Sequence, residues 1–188
     1  MKKITFLLLA ATFLFQWFVP LNMIMQQETI LKEGTPFKFK TQPIDPNDPF
    51  RGKFVVLNYK ANRFDVSDGQ QWTRGELVFV RIQNDANGFA EVASLEKVAP
   101  IEDNQYVKAT INRVWGDNPV QVSVRYPFER FYMEETKAPK AEAMFRDLWR
   151  DSSTTVYGLV VVHQGAAALE DVLVDGVSIS DAVLEVSE

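Results

Sequence analysis

The side chains with acid–base potential gather late in the chain, where Arg125, Arg130, Tyr132, Glu134, Glu135 and Glu142 follow one another closely. Paired carboxylates beside a tyrosine can share a proton with a bound substrate if they meet in a cleft. Glu135 and Glu142 with Tyr132 would then make a carboxylate-dependent hydrolase. The plainer alternative is a solvated charged face. A second cluster comes earlier, in Pro43-Ile44-Asp45-Pro46-Asn47-Asp48-Pro49-Phe50-Arg51-Gly52. Each proline holds the residue before it in extended or turn geometry, so the loop is stiff. Asp45, Asp48 and Arg51 can form a rigid polar recognition surface on it. As a structural corner, the aspartates would instead cap turns, and Gly52 would supply a backbone angle that other residues avoid.

Other chemistries lack their residues. The chain has no cysteine, which removes disulfides, zinc–thiolate sites and cysteine nucleophiles. Its one histidine, His163, ends an apolar run just before a glycine turn and reads as partly exposed trim. No HExxH spacing, GxSxG elbow or glycine-rich phosphate loop occurs, and no cofactor is expected. An anchored serine–lysine protease places its serine soon after the membrane segment. Here the first serine is Ser67, in the polar turn Asp65-Val66-Ser67-Asp68-Gly69.

Strands must position these groups. Phe37 to Thr41 alternates, Phe54 to Lys60 is strand-like, and Leu77–Ile82 and Phe89–Ser94 flank a hairpin turn at 84–88. Tyr106–Trp115 and Val120–Tyr126 form another hairpin, with Val107, Ala109 and Ile111 alternating against Lys108, Thr110 and Asn112. Thr154–Val162, Ala168–Val174 and the Asp175-Gly176 turn into Val177–Ile179 close the chain. One amphipathic helix is predicted over Lys140–Arg150, with Ala141, Met144, Phe145, Leu148 and Trp149 on one face. The reading is a single mainly-β domain, barrel-like or sandwich-like, over residues 31–188.

In front of it, residues 1–30 form a predicted anchor. After Lys2 and Lys3, the chain from Ile4 to Met25 carries no charge. Twenty-two helical residues span roughly 33 Å, enough for a hydrocarbon core of about 30 Å. A cleaved signal peptide has a shorter apolar region and a small-x-small cleavage site; here bulky Trp17, Phe18 and Met23 to Met25 stand near the end of the apolar stretch. Lys2 and Lys3 place the N-terminus in the cytoplasm and the domain outside it. The chain counts 20 basic and 25 acidic residues, so beyond Lys2 and Lys3 it holds 18 against 25, a formal −7. Such a surface does not attract nucleic acid by charge.

Gly52-Lys53-Phe54-Val55-Val56-Leu57-Asn58-Tyr59 resembles the signature of the GDYXXLXY family, with Gly52, Leu57 and Tyr59 matching. Lys53 stands where the motif has aspartate, and Phe54 where it has tyrosine. The stretch Glu129-Arg130-Phe131-Tyr132-Met133-Glu134-Glu135 is similar to a later arginine–aromatic–aromatic segment of that family. The resemblance implies a membrane-anchored bacterial protein of unestablished activity that is accompanied by a polytopic membrane protein. It supplies no catalytic residues. The expectation is a single-pass inner-membrane protein with a periplasmic domain that binds or scaffolds a membrane partner through the Asp45–Arg51 loop. The rivals are the carboxylate hydrolase and a small-ligand binder, the latter marked by a closed apolar pocket.

Overall fold

A computed structural model describes residues 2–42, 54–66, 71–101, 103–116, 119–132 and 154–185. Helix α1 (Lys2–Glu33) runs through Pro20, the one residue in it without an N–H to donate. It stops at Gly34, and strand β1 (Thr35–Gln42) starts one residue later. Counted over the described side chains, no helix is long and apolar enough to cross a membrane. The uncharged stretch Ile4–Met25 passes through residues 5–8, 10 and 11, whose side chains fall outside that description.

The rest of the described chain is mainly β. One five-stranded antiparallel sheet has the order β12-β11-β10-β1-β3, from Val177–Ser178, Ala166–Val174, Val156–His163, β1 and Asn58–Tyr59. A second has the order β4-β8-β7-β5-β6, from Arg63–Val66, Val120–Arg125, Tyr106–Trp115, Leu77–Asn84 and Ala90–Glu96. The inner faces share one core. Phe37, Phe39, Val160, Val162 and Val172 of the first sheet join Val78, Val80, Val107, Ile111 and Val124 of the second. Burial of each such side chain contributes about 1.5–3 kcal/mol. The expected alternation holds on β7, where Val107, Ala109 and Ile111 are buried and Lys108, Thr110 and Asn112 exposed.

The sheets are also joined at a corner. In the β10–β11 turn, Gln164 and Gly165 both have positive φ, 48° and 85°. This is the twist that a two-residue hairpin turn requires. Gly165 then bridges to Val107, its carbonyl accepting from the Lys108 N–H at 2.9 Å and its N–H donating to Tyr106 at 3.0 Å. The Asp175-Gly176 turn between β11 and β12 is of the same kind, as its sequence predicts.

Three features depart from the sequence reading. The 54–60 stretch is broken at Leu57 into β2 (Phe54–Val56) and β3, and β2 leaves the main sheets to pair with β9 (Arg130–Tyr132). Strand β4 is an addition to the expected set, and Ile179 opens a short helix, α2 (Ile179–Glu185). The predicted helix at Lys140–Arg150 lies outside the described residues.

Helix α1 packs on β10 and β11. Gly34 makes that approach possible, because a Cβ there would lie 2.5 Å from Val161 Cγ1 and 2.9 Å from the Val162 carbonyl. His163 is partly exposed at the end of β10, as expected, with Nε2 3.9 Å from Oε2 of Glu33 at the foot of the helix.

Candidate functional site

The signature segment and the arginine–aromatic segment meet. β2 and β9 pair antiparallel, with Phe54 opposite Tyr132, Val55 opposite Phe131 and Val56 opposite Arg130. The next residue extends the ladder, the Leu57 N–H donating to the Glu129 carbonyl at 2.7 Å. Leu57 and Tyr59 then turn inward, each only 1 % exposed. Two stretches far apart in sequence therefore form one ribbon whose end enters the core.

Tyr59 lies in an aromatic cluster. Its ring centroid is 5.5 Å from Phe39 and 5.4 Å from Phe128, and Tyr126 stacks on Phe128 at 5.0 Å. Edge-to-face and stacked pairs of this sort each add about 0.5–1.5 kcal/mol beyond burial. Both hydroxyls are satisfied by backbone: Tyr59 donates to Phe128 at 3.0 Å and Tyr126 to Ala61 at 2.6 Å. Gly158, opposite Phe39 on β10, leaves the space that the Tyr59 ring needs; a Cβ there would sit 3.2 Å from the hydroxyl. Burial pushes both phenol pKa values far up, with the Glu129 carboxylate adding to the effect. These tyrosines are core residues, locked as donors and unavailable as acids at neutral pH.

Glu129 opens the arginine–aromatic stretch but was not among the candidate site residues. Its carboxylate accepts the Tyr126 N–H at 3.2 Å and lies 4.0 Å from Arg125 Nε. Burial raises its pKa above the ordinary range, against the lowering influence of that N–H and of Arg125 and Arg130. The available signal was a carboxylate placed directly after the aromatic run Tyr126-Pro127-Phe128.

The remaining predicted residues separate into two groups. Leu57, Tyr59 and Arg130 are placed together by the β2–β9 ribbon, with Arg130 exposed, and Tyr132 joins them through its backbone. Asp45, Asp48, Arg51, Gly52, Glu134, Glu135 and Glu142 lie outside the described residues, as does Ser67. Among the described residues no group of three carboxylates or histidines is close enough to hold a metal ion.

The ribbon and its buried tyrosine are the context in which the signature must be judged. The family model described as GDYXXLXY protein matches residues 16–172. The chain belongs to the GDYXXLXY family. No curated protein and no solved structure matches it. In this GDYXXLXY protein the last two signature residues, Leu57 and Tyr59, fasten the ribbon to the core. The match begins within α1 and reaches β11, so it takes in part of the helix as well as most of the β domain.

A concavity also opens on the other side of Ala61. It is an open cleft of about 320 Å³ between β1, the Lys60–Asn62 turn with β4, and the start of β6. Lys40, Lys60 and Arg63 bring positive charge to it, Asp85 and Glu91 negative charge, and Phe64 and Phe89 apolar surface. It is neither closed nor purely apolar.

Proposed function

We propose that this GDYXXLXY protein is an extracytoplasmic binding or scaffolding partner of a polytopic inner-membrane protein, held in the membrane by Ile4–Met25. The observation that carries the proposal is the character of α1. It is a continuous helix of 32 residues, and between residues 13 and 25 its described apolar side chains run all round it. Phe13, Leu14, Phe15, Trp17, Phe18 and Val19 are each more than half exposed. In water, a contiguous apolar surface of that extent needs a covering, and a bilayer supplies one for a helix apolar on every side. The lysines at positions 2 and 3 favour a cytoplasmic N-terminus. The Asp45–Arg51 segment, expected from its prolines to be stiff, comes soon after β1 in sequence and is the proposed contact surface.

The reading is tested in two steps. Full-length protein should remain in the membrane fraction after alkaline carbonate extraction, and a reporter fused after Glu188 should be active only outside the cytoplasm. Release by carbonate, or a cytoplasmic reporter, would end the anchor reading. Asp48→Ala with Arg51→Ala should then reduce recovery of a membrane partner in mild-detergent pull-downs while the thermal transition stays unchanged. Undiminished recovery would remove the loop from the contact.

A further inference from the structure

We propose that the cleft bounded by Lys40, Lys60 and Arg63 binds a small amphiphilic anion, a carboxylate or phosphate on an apolar body. The inference is independent of the membrane reading. The protein as a whole is acidic, with a formal charge of −5, yet three basic residues line this concavity. Among the described residues none of the three is ion-paired. Lys60 and Arg63 are exposed, and Lys40 holds its ammonium 5.2 Å above the centre of the Phe89 ring.

The two carboxylates at the rim are already engaged. Asp85 accepts the backbone N–H groups of Asn87 and Phe89 at 2.7 and 2.9 Å, closing the β5–β6 turn. Glu91 accepts from the Gln83 amide at 2.6 Å across the same hairpin. An Asx-type turn of this sort fixes the Asp85 carboxylate on its own backbone. The cations therefore keep donor capacity, which suits carboxylate or phosphate oxygens.

The remaining lining sets the rest of the ligand. Phe64, Phe89, Ala90 and Val92 give the cleft an apolar wall, and its volume of about 320 Å³ is within the range of small-molecule sites, which starts near 300 Å³. A ligand with an anionic head and a compact apolar body satisfies both surfaces. A cation of the same shape does not.

Full-length protein in phosphatidylcholine nanodiscs, labelled at alanine and valine methyls, provides the test. Phenyl phosphate, benzoate and benzylamine would each be titrated, with inorganic phosphate as competitor. Phenyl phosphate or benzoate should shift the Ala61, Ala90 and Val92 methyls saturably, with Val124 and Val160 in the core as unmoved references. Whichever of the two binds more tightly identifies the head group. Inorganic phosphate should compete, and benzylamine should produce no saturable shift. Lys60→Gln with Arg63→Gln, both exposed, should weaken binding at least tenfold; Lys40→Met, which keeps the aliphatic stem, should weaken it separately. Absence of saturable shifts from either anion, equal shifts from benzylamine, or unchanged affinity in both variants would overturn the proposal.

Discussion

The Tyr59 hydroxyl donates a buried hydrogen bond to the carbonyl of Phe128, 69 residues further along the chain. That bond ties the end of the signature to the turn before β9. Tyr59→Phe removes the donor and leaves the carbonyl dry, which costs about 1–3 kcal/mol. Tyr59→Ala also empties the cluster and should cost about 3–5 kcal/mol. For a chain of this size 1 kcal/mol shifts the midpoint by roughly 2–4 °C. Melts followed by tryptophan fluorescence in mild detergent should rank wild type, phenylalanine and alanine in that order.

Glu129 should make stability depend on pH. Its folded-state pKa is raised by burial, so the native protein holds the proton more tightly than the unfolded chain. Stability then falls as pH rises from the unfolded value through the raised one. Glu129→Gln keeps an acceptor for the Tyr126 N–H without the charge. The variant should melt above wild type at pH 7.5, and the gap should close as the pH approaches 4. A gap constant with pH would show that the carboxylate is not destabilised by its surroundings.

Gly165 and Gly176, in successive hairpin turns, offer an internal comparison. Gly176 has φ of 93° with nothing within 4 Å of an added Cβ, so Gly176→Ala carries backbone strain alone, about 1 kcal/mol. At Gly165 the same Cβ would also meet Tyr106 Cε2 at 2.8 Å. Gly165→Ala should therefore lower the melting midpoint more than Gly176→Ala. It should also disturb the corner bond to Lys108, visible as faster amide exchange there.

Gly34→Ala tests the junction. Backbone carbonyls of Ile30 and Val162 would lie 2.5 and 2.9 Å from the new Cβ, and neither is the end of a flexible side chain. Overpacking of this kind costs about 1–3 kcal/mol. Limited proteolysis should cut near residue 34 faster in the variant than in wild type.

Long alternating strands were the legible part of the fold. Ten residues from Tyr106 to Trp115 repeat the period often enough to specify a face, and Asp175-Gly176 names its own turn. The β2–β9 ribbon was not legible, because each strand has three residues and the partner is remote in sequence. β4 had a signal, Arg63-Phe64-Asp65-Val66, too short to separate from chance. Of the site, Tyr59 could be located by the signature, but its burial could not: that depends on Gly158, which only the register of β1 with β10 places beneath it. Glu129 was hidden for the same reason, since its burial comes from neighbours assembled by the fold.

Only Gly34 separates the end of α1 at Glu33 from the start of β1 at Thr35. A helix rising about 1.5 Å per residue covers roughly 12 Å between Met25 and Glu33. With α1 seated in a bilayer, the β domain would therefore stand at a set altitude and bearing, without the slack of a leash. Its working radius would be short, and partners would have to offer their contact surface within that narrow band above the lipid. Lengthening the segment around Gly34 with flexible residues would widen the band and loosen the aim of the cleft and the ribbon together.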